Sequence, residues 1–318
     1  MIHAPAAQPP QPQVTHIAAG APAPSSQYAG WRHRNWGALK GRADLVRAWR
    51  ITYRAHDGLA REALVVLPRW YGPNHDPAIP LVISPHGRGA TPAENAKFWG
   101  NLPALGRFAV VNPEGQGARL ALYSWGSPGQ ISDLARMPAI VRRALPWLRI
   151  APHSVYAVGG SMGGQETLLL VAEHPHLLAG AISFDAPTNM AARYSAFPEL
   201  KWGLTIQKFA RLEFGGVPRT HGDLYADRSP IYFARQIAWS NVPLEIWWSR
   251  ADRVVVDQAR ESGRLYHAIK RINPSAPVVE RVGWWQHTAE MHPFASLPLA
   301  LAAMGLLHFE PPAAGVPV

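Results

Sequence analysis

Four short segments carry residue types suited to nucleophilic catalysis, and the first contains a serine between paired glycines. The segment Gly159–Gly164 follows the apolar run Val155–Val158 and places Ser161 at its centre. A serine hydroxyl is a poor nucleophile unless a base removes its proton and a tight turn exposes it, and small flanking residues permit that turn. A helix starting after the serine would hold the backbone N–H of Met162 beside it. The segment therefore predicts a nucleophile at Ser161 and an oxyanion-binding N–H at Met162.

The second segment is a glycine-containing loop, Ser84–Gly89, directly after the apolar run Leu81–Ile83. Such a loop can turn a backbone N–H toward a pocket, and Arg88 is best placed to give a second oxyanion donor. We expect His86 to be structural and to fix the loop by hydrogen bonds. An ordinary glycine turn without a catalytic role is the alternative.

The third segment supplies a carboxylate in the loop after the predicted strand Pro243–Trp248. An acid there can accept an imidazole N–H and stabilise the imidazolium, and Asp252 is the preferred candidate. Asp257 is the nearest competitor, although it fits a first-turn helix charge. Asp185 and Glu114, which follow earlier strands, are further alternatives.

The fourth segment supplies a histidine after the last predicted strand, Val278–Val282. Most of the 14 histidines must lie on the surface or fill the core, but His287 comes after Asp252 in the chain and in a loop that follows a strand. His292 is the alternative, although Pro293 suggests a loop that leads into a helix. Tryptophan favours half-buried sites, and Trp125 and Trp284 are candidates for the wall of a substrate pocket.

The elements that must position these segments alternate between strands and helices. Continuous apolar runs predict strands buried on both faces, and apolar residues at helical spacing predict crossover helices. After a predicted opening hairpin, the remaining strands and helices indicate a mostly parallel sheet flanked by helices. The hairpin comprises Ala48–Tyr53 and Glu62–Leu67; the other predicted strands are Ile79–Ser84, Phe108–Val111, Ser154–Val158, Gly180–Phe184, Pro243–Trp248 and Val278–Val282; the predicted helices are Asp133–Leu148, Gly163–Glu173, Val256–Lys270 and Leu297–Leu307.

Two segments interrupt this alternation. The segment Ala186–Asn241 is longer than an ordinary connection and is interpreted as a cap or lid. The first residues, Met1–Ser26, are rich in Pro, Ala and Gln and predict a disordered leader, so that one domain spans residues 27–318. The leader lacks the order of a signal peptide, but removal of a preceding signal would make the protein secreted; otherwise we expect it in the cytoplasm.

The order Ser161, Asp252, His287 resembles that of the α/β-hydrolase family, over roughly the last four-fifths of the chain. The loop Ser84–Gly89 and the segment Gly159–Gly164 are similar to those of single-domain esterases and of the catalytic domains of prolyl-oligopeptidase-like enzymes. One departure is Ser249, where the family usually carries glycine before the acid loop. The resemblance implies a serine hydrolase with the α/β-hydrolase fold that works through an acyl-enzyme and needs no metal or organic cofactor.

Composition narrows the remaining classes of function. The formal net charge is +10, but the basic residues are scattered and form no nucleic-acid module, so no nucleic-acid partner is expected. The absence of cysteine excludes disulfides and thiolate metal sites, and no apolar run is long enough to span a membrane. The oligomeric state stays open.

The leading hypothesis is a carboxylesterase acting on a small-molecule or polymer-borne ester. A peptidase or amidase of the same fold is the alternative, although the related oligopeptidases usually carry a long propeller domain that this sequence has no room for. A hypothesis of another class is a non-catalytic protein that binds a ligand in the same pocket.

Overall fold

A large mixed sheet forms the centre of the computed structural model, which describes residues 14–17, 45–115 and 125–308. Among these residues nine strands hydrogen-bond into one sheet. The strands are β1 (Val14–Ile17), β2 (Val46–Arg54), β3 (Ala60–Pro68), β4 (Ile79–Ile83), β5 (Ala109–Pro113), β6 (Ile150–Gly160), β7 (Gly180–Phe184), β8 (Leu244–Ser249) and β9 (Val278–Gly283). Their spatial order is β1-β2-β3-β5-β4-β6-β7-β8-β9. Strands β1, β2 and β3 pair antiparallel, as does β3 with β5, and every pair from β5 to β9 is parallel.

Helices cover both faces of this sheet. They are α1 (Pro92–Lys97), α2 (Leu102–Gly106), α3 (Pro128–Ala144), α4 (Met162–Glu173), α5 (Met190–Ala196), α6 (Gly203–Glu213), α7 (Gly222–Ala226), α8 (Ala234–Trp239), α9 (Arg264–Ile272) and α10 (Leu297–Ala303). Leu81 and Ile83 of β4 point into one hydrophobic cluster and Val82 points into the other, because side chains alternate along a strand. All three are fully buried. The apolar runs of β4 and β5 are therefore strands with no solvated face, as predicted, whereas Val279 and Val282 of the edge strand β9 are exposed.

Several element boundaries differ from the sequence prediction. Helix α3 begins at Pro128 rather than at residue 133, since Ser127 accepts the N–H of Gln130 and starts the helix before its apolar stripe. The last helix ends at Ala303 rather than at residue 307, because Gly305 takes the left-handed conformation. Helices α1 and α2 were not predicted at all.

The predicted lid, residues 186–241, holds four helices, α5 to α8, between β7 and β8. The predicted leader is interrupted by β1, which pairs with β2; the other leader residues lie outside the described part of the chain. Within the described residues, no helix combines the length and the apolar character needed to cross a bilayer.

Candidate active site

Ser161 lies on a sharp turn between β6 and α4. Its backbone has φ 57° and ψ −127°, a region that non-glycine residues rarely adopt, and its N–H donates to the carbonyl of Phe184 at 2.8 Å. A side chain on Gly163 would clash with the carbonyl of Pro85, and one on Gly159 would clash with Gly163 itself. The paired glycines are thus required because α4, β6 and the loop after β4 meet here with no space between them.

His287 and Asp252 form a hydrogen-bonded pair in the loops after β9 and β8. The Nδ1 of His287 lies 2.7 Å from Oδ2 of Asp252. The same carboxylate accepts the backbone N–H groups of Val254 at 2.8 Å and Val255 at 3.0 Å, and the side-chain amide of Gln258. Burial acts to raise the pKa of Asp252, but the hydrogen bonds and the neighbouring His287 lower it below its usual range. Asp252 is therefore held as an anion that can orient the imidazole.

The other ring nitrogen of His287, Nε2, is not committed to a hydrogen bond within the described residues. This nitrogen is buried. With Nδ1 donating to Asp252, Nε2 is left as the basic nitrogen of the neutral ring. The ring and Ser161 both line one cavity, so the chemistry of a nucleophile and a base is available at a single place.

Asp185 is buried beside this pair but does not bond the imidazole. Its carboxylate accepts three N–H groups, from Ser249 at 2.9 Å, from the indole of Trp285 at 2.9 Å and from Thr288 at 2.8 Å. Burial raises its pKa to about 6. Because Ser249 precedes the acid loop and Thr288 follows His287, Asp185 joins the two loops that carry the pair.

The competing acids and the competing histidine lie elsewhere. Asp257 is half exposed and pairs with Arg260 at 3.3 Å. Glu114 accepts the backbone N–H of Glu62 at 3.1 Å. The ring of His292 packs edge-on against Phe98, with 4.7 Å between the ring centres, and burial lowers its pKa. Only Asp252, of the four acids considered, contacts the ring of His287.

The glycine loop after β4 packs against the nucleophile turn. Nδ1 of His86 lies 2.8 Å from the carbonyl of Gly87, and Nε2 accepts the N–H of Gly115 at 2.8 Å, so both ring nitrogens fix the loop. The backbone N–H groups of Arg88 and Met162, which begins α4, donate to no other described residue. The N–H of Met162, directly after Ser161, and that of Arg88, in the loop that lines the cavity, are thus uncommitted donors.

The side chain of Arg88 reaches across to the predicted lid. Its guanidinium pairs with Glu213 of α6 at 3.1 Å and lies 4.6 Å from the ring centre of Trp125. The loop that offers the backbone N–H is thus tied by its own side chain to the insertion between β7 and β8.

A cavity of about 360 Å³ opens beside Ser161. Trp125 lines it and stacks on Phe197, with 5.6 Å between the ring centres. Trp284 does not line the cavity, and 74% of its surface is exposed. Of the two tryptophans considered from the sequence, the structure brings only Trp125 to the site.

The insertion between β7 and β8 adds lining residues that the sequence did not reveal. Met190, Phe197 and Ile206 give the cavity an apolar wall. Arg193 also lines the cavity, although the segment 186–241 contains no motif that singles it out. Only its position in α5, shortly after the end of β7, could have drawn attention to it.

Asp185, Asp252 and His287 are the one group of three described residues whose possible metal-ligand atoms all lie within 4.8 Å of one another. All four carboxylate oxygens already accept N–H donors or contact the imidazole. Ligand oxygens in a metal site must face the cation instead. The cluster therefore fits orientation of a histidine and does not fit a metal centre.

Comparison with known proteins identifies the fold. No protein-family model matches the sequence, and no curated protein matches it. The solved structures that resemble the chain include the Pyrococcus horikoshii acylaminoacyl peptidase, at 13% identity and a TM-score of 0.64 over 87% of this chain and 44% of that one. Prolyl oligopeptidase B from Galerina marginata is 15% identical, with a TM-score of 0.60 over 83% of this chain and 37% of that one.

A third similar structure is an S-formylglutathione hydrolase from Staphylococcus aureus, 14% identical with a TM-score of 0.59 over 81% of this chain and 97% of that one. The chain thus spans less than half of the two peptidases but nearly all of this smaller hydrolase. These likenesses confirm that the chain has the α/β-hydrolase fold, with a mostly parallel sheet surrounded by helices.

Proposed function

We propose that this α/β-hydrolase-fold protein is a serine hydrolase that cleaves carboxylic esters. The observation that carries the proposal is the 2.7 Å contact between Nδ1 of His287 and Asp252, together with an unbonded Nε2 on a residue that lines the same cavity as Ser161. A nucleophile, a base and an orienting acid, supplied from three strand ends, form the arrangement that acyl transfer requires.

The reaction follows from these positions. Nε2 of His287 removes the Ser161 proton as Oγ bonds to the substrate carbonyl carbon, and the backbone N–H groups of Arg88 and Met162 stabilise the negative oxygen. The carbonyl then re-forms, the bond to the leaving group breaks, and the imidazolium protonates the departing oxygen. Water, activated by the same nitrogen, repeats the sequence on the acyl-enzyme and releases the acid.

Ester cleavage is placed first because a similar structure, matched over 97% of that protein's length, is named an S-formylglutathione hydrolase. Peptidase or amidase activity is the second candidate, and the fold similarity to the two peptidases favours it.

A fluorophosphonate probe tests the nucleophile directly. We expect stoichiometric labelling of the wild-type protein and none of Ser161→Ala. Ser195→Ala, a change at an exposed serine of α5, is the matched control and should label like the wild type. An unlabelled wild-type protein would show that this fold serves as a non-catalytic binding protein instead.

A substrate series then separates the two activities. p-Nitrophenyl esters from acetate to octanoate are compared with the p-nitroanilides of the same acids. We expect turnover of the esters and at least about a hundredfold lower kcat/KM for the anilides. Comparable rates for both would assign the protein to the amidases.

A further inference from the structure

The cavity beside Ser161 has an unbalanced charge. Two arginines, Arg88 and Arg193, are among the described residues that line it, and none of these residues is Asp or Glu. The charge of Arg88 is matched, since its guanidinium pairs with Glu213. Arg193 is the other lining cation, and its charge needs a counterpart.

Arg193 is buried and only partly bonded. Its side chain is 4% exposed and lies 5.3 Å from the ring centre of Phe197. Nη2 donates to the carbonyl of Val254 at 2.7 Å. Nη1 is buried and donates to no acceptor, and no described carboxylate lies within ion-pair distance of the guanidinium. A backbone carbonyl orients this side chain but does not neutralise it.

The two acids that act electrostatically on Arg193 form their hydrogen bonds with other groups. Glu261 and Asp252 interact with Arg193 electrostatically but form no hydrogen bond or ion pair with it. Oε2 of Glu261 accepts both N–H groups of Thr188 and Asn189, at 2.7 and 2.8 Å. Asp252 holds His287 and the N–H groups of its own loop. Burial of the guanidinium lowers the pKa of Arg193, so its environment is one in which an added anion would be favoured.

We infer that Arg193 binds a carboxylate carried by the substrate, so that this hydrolase acts on esters of carboxylate-bearing compounds. This inference rests on the proposed function and deepens it. A buried charge is costly unless it is paired, and the planar fork of arginine matches the geometry of a carboxylate. The apolar wall formed by Met190, Phe197 and Ile206 would contact the uncharged part of the same substrate.

Two pairs of substrates test the inference and locate the carboxylate. In the first pair it is on the acyl side: the p-nitrophenyl monoester of glutaric acid against the p-nitrophenyl ester of the corresponding monoamide. In the second it is on the alcohol side: the butyryl ester of glycolic acid against that of glycolamide. Within each pair the substrates differ by a charge and hardly in size.

We expect the wild-type protein to prefer the carboxylate in one pair by about tenfold or more in kcat/KM. Arg193→Gln, which removes the charge but keeps an N–H donor, should abolish this preference by raising KM more for the carboxylate substrate than for the amide. Arg193→Lys, which keeps the charge without the fork, should give an intermediate preference. Arg211→Gln, an equal change of charge at an exposed position of α6, should retain the full preference.

Two results would overturn the inference. One is a wild-type protein that does not discriminate within either pair. The other is an Arg193→Gln protein that slows on carboxylate and amide alike, which would mean that Arg193 only holds Val254 in place. Fluorophosphonate labelling of the same preparations distinguishes these failures from a failure of the hydrolase proposal, because the probe carries no carboxylate and reports Ser161 alone.

Discussion

The carboxyl edge of the sheet and the insertion between β7 and β8 build the same cavity by different means. At the sheet edge, backbone N–H groups and carboxylates fix Ser161, Asp252 and His287 through short hydrogen bonds. In the insertion, short helices contribute stacked rings and one unmatched guanidinium, and Trp202 and Leu204 of the same segment are more than 70% exposed. Under the proposed function, bond making would depend on the sheet edge and substrate choice on the insertion.

The largest expected effect is at the sheet edge. Asp252→Asn should lower kcat on a p-nitrophenyl ester by at least about a hundredfold, because the amide cannot stabilise the imidazolium or enforce the tautomer. The loss should be the same for every acyl chain in a series of esters. Asp257→Asn, in the same loop but half exposed, should change kcat by less than about twofold. A loss confined to one chain length would show that Asp252 affects substrate choice. A loss in Asp257→Asn instead would assign the acid to Asp257.

A smaller effect is expected at Asp185, which does not line the cavity and makes no hydrogen bond with the imidazole. Asp185→Asn places an amide against the N–H groups of Ser249, Thr288 and Trp285, so the two loops should loosen. We expect kcat to fall about tenfold for all esters while KM changes little.

Two further variants control this measurement. Trp285→Phe removes one donor only and should give a milder fall, which keeps the test valid if Asp185→Asn folds poorly. Asp223→Asn, at an exposed position of α7, should have no effect. A rise in KM without a fall in kcat would mean that Asp185 belongs with substrate binding.

The insertion should respond differently. Phe197→Ala removes the ring stacked on Trp125 and lengthens the cavity, so the preferred acyl chain of neutral esters should become longer. We expect the ratio of kcat/KM for octanoate over butyrate to rise by several-fold, up to about tenfold. Tyr232→Ala, an exposed aromatic of the same insertion, is the control. A uniform fall across the series would show that the insertion also supports the chemistry.

The smallest expected effect concerns stability and is located in α4. Burial raises the pKa of Glu166 to about 8, so the folded protein keeps a proton that the unfolded chain releases near its ordinary value. Stability should therefore decline as the pH rises from about 4.5 to about 8. Glu166→Gln removes this dependence, so the Tm of the variant minus that of the wild type should increase by several degrees, up to about ten, as the pH is raised from 5 to 9. Glu199→Gln, at an exposed position, should show no such trend.

The division between the sheet edge and the insertion also explains which elements could be predicted from the sequence. Strands such as Gly180–Phe184 are continuous apolar runs ended by polar or glycine residues, so both the strand and the reacting group after it can be recognised locally. Helix α3 began earlier than predicted because its first turn is polar and is set by Ser127. The solved structures confirm the fold, and the assignments of the individual site residues stay predictions.

Residues of the insertion could not be found in this way. Trp284 and Trp125 are equivalent as residue types, yet one is 74% exposed and the other 5%. Arg193 is one of many scattered arginines until tertiary packing buries it beside Phe197. Tertiary packing decides which of these residues line the cavity, and no local sequence pattern predicts that packing.

The pair formed by Arg88 and Glu213 limits how this fold can be diversified. The backbone of Arg88 belongs to the loop after β4, and its side chain contacts the insertion. Exchange of the insertion for that of another protein would leave a partly buried guanidinium beside the cavity without its carboxylate, unless the new insertion carried an acid at the same place. The two regions are therefore not interchangeable parts, and new specificities are expected to arise by point changes within the insertion rather than by its replacement.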